Sequence, residues 1–160
     1  MRRPLFYWTV AGLTLLVAAL GLHWHWQPER QLRLHQAALL HAYEERDWED
    51  LQKLVAEDYK DAWAQDKATL VQDSQQAFRH FIFLAIEVRE GETDVVSGTT
   101  EARLNMKGRG SPVAEEIMSR VRELRQPFRF TWRKAGRWPW QWVLVHAEQP
   151  ELKLDRMNGW

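Results

Sequence analysis

Six histidines are the first side chains to ask about acid–base or metal chemistry. His23 and His25 form an alternate pair that a strand could turn into a metal clip. They sit among Trp24 and Trp26, where aromatic heterocycles belong at a membrane boundary. His35 and His41 do not share a helical face well. No His-Glu-x-x-His motif occurs, and no histidine pair has a carboxylate placed as a third ligand. His80 and His146 fall where a helix ends and where a strand runs, positions that could line a pocket or hold hydrogen-bonded half-core histidines. Ser111 follows Gly108-Arg109-Gly110 but lacks the Gly-x-Ser-x-Gly elbow of a nucleophile. The same glycines lack the Gly-Lys-Ser/Thr that completes a phosphate loop. The chain contains no cysteine, which excludes disulfide scaffolds, zinc ribbons and thiol nucleophiles. No catalytic residue, cofactor or metal is expected from these patterns.

Charge gives a different kind of candidate. The 160 residues carry 22 Lys+Arg against 22 Asp+Glu, a balance that argues against nucleic acid as a partner. The balance is uneven along the chain. Between Lys107 and Arg137 nine basic residues face three acidic ones. Arg109, Arg120, Arg122, Arg125, Arg129, Arg133 and Arg137 are expected to form a basic surface, for anionic headgroups or an acidic partner, or simply as the solvent side of a strand. Trp138, Trp140 and Trp142 are expected on one strand face, with Trp132 on the partner strand. Such a row either packs across strands or stacks on a ligand or protein.

Residues 5–26 contain no acidic side chain and no Lys or Arg. A run of this length crosses a hydrocarbon core of about 30 Å as a helix. Arg2 and Arg3 before it place the N-terminus in the cytoplasm and the rest outside, periplasmic or extracellular. Small residues at Val17-Ala18-Ala19 and Ala19-Leu20-Gly21 leave a cleaved signal peptide as the rival reading. The uncleaved single-pass anchor is favoured, because the apolar run continues to Trp24 and Trp26 without a polar stretch. The chain then divides into an anchor (1–26), a domain (27–150) and a C-terminal tail (151–160).

The elements of the domain follow from local signals. Pro28 opens a helix with Leu32, His35, Leu39, Ala42 and Tyr43 on one stripe. Asp47 caps a short second helix burying Trp48, Leu51, Leu54 and Val55. Asp66 caps a third that gives way to a strand near Phe81. Gly91 to Asp94 reads as a turn and Thr100 to Met106 as a half-buried strand. Gly108 to Pro112 reads as a loop, and Val113 to Leu124 as a short helix. Two alternating runs, Phe128 to Arg133 and Trp140 to His146, make a hairpin. Helices followed by antiparallel strands indicate an α+β class.

The run Leu39 to Asp61 (LLHAYEERDWEDLQKLVAEDYKD) and the closing hairpin Lys134 to Gln149 (KAGRWPWQWVLVHAEQ) resemble nuclear transport factor 2-like, or SnoaL-like, domains. The resemblance implies a curved antiparallel sheet wrapped as a cone around a long N-terminal helix, often with a pocket at its open end. The pocket would be lined by Leu39, Tyr43, Tyr59, Trp63, Phe78, His80, Trp132 and Trp142. Some members are isomerases or dehydratases, whereas others only bind or assemble. Counted from Asp47, the isomerases' oxyanion-binding Tyr and Asp base fall on Leu39 and Trp63, which can do neither job. Tyr43 and Asp61 lie close to those positions, but Asp61 is flanked by Lys60 and is expected to be a solvated surface carboxylate. The expectation is a membrane-tethered, non-catalytic module that binds a small ligand or a protein, with a small-molecule enzyme using Tyr43, Asp61 or His80 as the alternative. The family often dimerises, which makes the sheet face the expected site of a homodimer.

Overall fold

The computed structural model describes residues 26–152 apart from Pro139, together with Leu13, Thr14, Leu16, Val17 and Gly21. Most of the expected span 5–26, including His23 and His25, therefore lies outside the described residues, as do residues 153–160 of the expected tail. No helix among the described residues is long and apolar enough to cross a membrane.

The element order is α1 (Pro28–Glu45), α2 (Trp48–Leu54), α3 (Lys67–Phe78), β1 (Phe81–Asp94), β2 (Thr99–Gly110), α4 (Pro112–Glu123), β3 (Phe128–Lys134) and β4 (Trp142–Glu148). Helices lead and strands follow, interrupted by α4, as the α+β reading requires. Proline at the first turn of α1 needs no N–H there, and Arg46 ends the helix in the left-handed region at φ 57°. The Asp47 carboxylate then accepts from Asp50 N at 3.0 Å to start α2, and Asp66 accepts from Thr69 N at 2.9 Å to start α3. These caps fix where each helix begins, and so where the apolar stripes point.

The four strands form one antiparallel sheet in the order β1-β2-β3-β4. The β1–β2 ribbon is long, but β2 pairs with β3 only from Thr99 to Ala102. The remainder of β2 has α4 packed on it instead, with Ala114 and Met118 against Phe81, Leu84 and Met106. The larger core lies between α1 and the sheet and holds Leu32, Leu39, Leu51, Val55, Tyr59, Phe130, Trp132, Trp142 and Leu144. The outer edge of β4 is occupied by the chain after α2: Ala56, Lys60 and Ala62 donate their N–H groups to Leu144, Val145 and Ala147 at 2.9, 3.1 and 3.0 Å. That covers an edge otherwise open to strand addition.

Three local expectations are corrected. Gly91 to Asp94 is not a turn but the end of β1. The reversal comes one step later, where the Asp94 carboxylate accepts from Val96 N and Ser97 Oγ and Gly98 adopts φ +68°. Gly108 to Gly110 is not a loop but the end of β2, where the absence of side chains lets the backbone lie close to the Phe83 and His80 carbonyls. Trp138 and Trp140 do not share a strand face with Trp142, because β4 begins only at Trp142. A proline between two indoles removes an N–H that a strand would use. The start of the expected tail is also tied down, since Glu151 accepts from Arg125 N and the Leu152 carbonyl from Trp63 Nε1.

Candidate functional site

The side chains expected to line a pocket are brought together in large part, but as core. Leu39 from α1, Tyr59 from the chain after α2, Trp132 from β3 and Trp142 from β4 are all buried in one cluster. Trp132 donates its indole N–H to Thr100 Oγ1 at 2.9 Å, and the His35 ring stands edge-on to it at 6.2 Å. Tyr43 and Phe78 lie 5.2 Å apart with their rings tilted, Trp48 stands edge-on to both, and the three seal the α1–α2–α3 side. Trp63 is partly buried, its indole bound to the Leu152 carbonyl at 2.7 Å. His80 is displaced from this group. It lies at the start of β1 beside α4, where its Nδ1 meets Ser111 Oγ at 3.3 Å.

Inside this aromatic packing lies a polar knot that sequence reasoning misjudged. Asp61 is only 6% exposed, not a solvated surface carboxylate. One carboxylate oxygen accepts from the backbone N–H groups of Trp63 at 2.9 Å and Gln65 at 2.8 Å. The other lies 3.5 Å from the Tyr59 hydroxyl, which donates to it. A charge taken from water needs such donors, and here the loop that follows Asp61 supplies them. The Tyr59 phenol is pushed well above its ordinary range, first by burial and then by the Asp61 charge and Tyr43. Tyr43 is also raised, again mainly by burial, although a hydrogen bond with Ser74 partly offsets this. Both phenols are therefore neutral at physiological pH. Lys60, the neighbour that suggested solvation, is itself exposed; its N–H bonds to β4 and draws Asp61 inward.

A phenol and a carboxylate at this distance resemble a donor–base pair in composition only. Both Asp61 oxygens are already engaged. Two hollows among the described residues lie elsewhere. One of about 670 Å³ sits between α2, the chain after it and the β3–β4 end, bounded by Asp58, Lys67, Arg133 and Val143. Another of about 350 Å³ lies over the β1–β2 end, bounded by Glu92, Asp94, Thr99, Glu101 and Arg129. Neither is lined by a residue expected in the pocket.

Three of the seven arginines of the expected basic surface are paired with acids. Arg133 grips Asp58 with two bonds of 2.7 and 2.8 Å and holds its carboxyl below the usual range. Arg129 bridges Glu101 at 2.7 Å and Glu148 at 3.0 Å, and Arg120 pairs with Glu116 at 2.6 Å. Arg109, Arg122, Arg125 and Arg137 make no side-chain ion pair among the described residues. Counting charge along a segment overlooks acids that arrive from other segments, and here Asp58, Glu101 and Glu148 all do.

No family model matches the sequence, and no curated protein sequence does. Solved structures are similar in fold. Bd1075 of Bdellovibrio bacteriovorus aligns with a TM-score of 0.55 at 10% identity, over 74% of this chain and 40% of that one. The chain thus spans less than half the length of Bd1075. A nuclear transport factor 2-like protein of Streptomyces avermitilis, provisionally named a dehydratase, aligns at 0.54 with 15% identity, over 74% and 92% of the two chains. One of unknown function from Pseudomonas putida KT2440 aligns at 0.54 with 13% identity, over 74% and 82%. These likenesses show that the domain has the nuclear transport factor 2-like fold. Identity this low carries fold and not activity.

Proposed function

We propose that this chain is a membrane-tethered, non-catalytic binding and assembly module. Residues 5–26 hold the domain at the bilayer, with Arg2 and Arg3 on the cytoplasmic side and the fold outside, in the periplasm or extracellular space. The observation that carries the non-catalytic reading is the filled interior: Leu39, Tyr59, Trp132 and Trp142, four of the residues expected to line a pocket, are buried together in one cluster. Asp61 is turned to its own loop, one oxygen accepting from the Trp63 and Gln65 N–H groups and the other lying 3.5 Å from the Tyr59 hydroxyl.

Assembly through the sheet is supported by what β1 leaves on the surface. Ile82, Phe83 and Val88 are exposed on a strand that ends the sheet. Consecutive Ile82 and Phe83 both face out because a bulge between Phe81 and Phe83 breaks the alternation. A second copy of the chain is the partner such a strand accepts most simply. Two measurements test the reading. Protease added outside intact cells or spheroplasts should digest the domain and spare the N-terminal residues. Incubation with isomerase and dehydratase substrates should show no turnover, and turnover that is lost in Asp61→Asn would overturn the non-catalytic reading in favour of the dehydratase- or isomerase-like alternative.

A further inference from the structure

The β3–β4 connection carries an aromatic pair that the core does not use. Trp138 is 56% exposed and Trp140 42% exposed. Their rings are stacked, with centroids 5.0 Å apart and planes 12° apart. Trp140 in turn lies 6.1 Å from Trp26, the last residue of the expected span. The loop is held in shape from within: Ala135 N donates to the Gln141 carbonyl at 2.8 Å, Gln141 N to the Trp138 carbonyl at 3.2 Å, and Trp138 N to Gln141 Oε1 at 3.3 Å. Lys134 and Arg137 flank the indoles, and no acidic residue occurs from Lys134 to Trp142.

We infer that this loop is a second point of membrane contact, which seats Trp138 and Trp140 in the headgroup layer beside Trp26. The inference rests on the tether proposed above. If the chain leaves the bilayer at Trp26, then Trp140 is already at the interface, and Trp138 is one stacking distance further on. Indoles favour that boundary, where the ring meets the acyl edge and the N–H meets water and headgroups. Lys134 and Arg137 add attraction to anionic lipid. A covalent tether alone leaves a domain free to swing, whereas two contacts fix its orientation. The β3–β4 tip then faces the lipid, and α4, which packs on the far half of β2, stands away from it.

The absence of cysteine makes the test direct. The full chain carrying Trp138→Cys, labelled with an environment-sensitive fluorophore, is reconstituted in vesicles of phosphatidylcholine and phosphatidylglycerol. Ser119→Cys on α4 serves as the solvent-facing reference, and Arg137→Cys repeats the measurement with Trp138 intact. Flotation is read first: failure to float with the vesicles would overturn the tether and this contact with it. In a floating chain, the labels at 137 and 138 should emit further to the blue than the label at 119, and should be quenched by lipid brominated near the headgroup. Emission at 137 and 138 that matches 119 would overturn the contact and leave the tether standing. A blue shift without quenching would mean that protein covers the loop, and would overturn it equally. Leaving out phosphatidylglycerol should weaken the quenching; unchanged quenching would overturn the part assigned to Lys134 and Arg137.

Discussion

At the scale of single residues, Asp61 and the two buried tyrosines are the most informative. Asp61→Ala would leave the Trp63 and Gln65 N–H groups and the Tyr59 hydroxyl without an acceptor. Each unsatisfied buried donor costs about 1–3 kcal/mol. Urea unfolding of the full chain should therefore show a midpoint loss well beyond that of an ordinary surface change, with Asp61→Asn recovering part of it. Tyr59 also makes stability depend on pH at the alkaline end. Its folded value lies above the ordinary 10.0. The folded state then keeps a proton that the unfolded state releases, so this contribution is intact below pH 10.0 and is lost as pH rises toward the folded value. Denaturant midpoints should fall above that pH in the native chain and fall less in Tyr59→Phe. This knot was poorly legible beforehand: the donors to Asp61 lie only two to four residues away, but that their loop is buried follows from its pairing with β4 through Lys60 and Ala62.

At the scale of elements, the turn between β1 and β2 and the edge of β1 make contrasting predictions. Gly98 combines φ +68° with the Trp132 carbonyl 2.6 Å from where a Cβ would sit. Gly98→Ala should cost at least about 1 kcal/mol through backbone strain, before any shift of β3 is counted. Thermal unfolding would read this as a clear drop in midpoint. The paired substitution Ile82→Lys with Phe83→Lys touches only exposed side chains, so stability should change by less than about 0.5 kcal/mol. Self-association in sedimentation should be abolished if the β1 side of the sheet is the interface, and a native chain that stays monomeric at high concentration would remove that interface from consideration. The helix starts were readable because Asp47 and Asp66 act within their own turn. The strand ends were not, because Gly91 and Gly108 can extend a strand or break it, and only pairing with Ala102 and Leu84 decides between the two.

For the whole molecule, the filled interior and the aromatic loop suggest a domain that works through its surface. Removing residues 1–26 should leave the thermal unfolding of the domain nearly unchanged while releasing it from the membrane fraction, since the core is built from residues of 27–152. Fractionation and circular dichroism on the same preparation check both halves of that statement. The order of helices and strands and the α+β class could be read from the chain because periodicity and caps are local properties, and the resemblance of Leu39 to Asp61 and Lys134 to Gln149 pointed to the nuclear transport factor 2-like fold. The tertiary structure alone decided that Trp132 and Trp142 are buried in the core, that Asp61 is inside, and that Arg129 and Arg133 are neutralised. Each of these depends on which distant segments come into register, and a side chain's surroundings are set by that register and not by its neighbours in sequence.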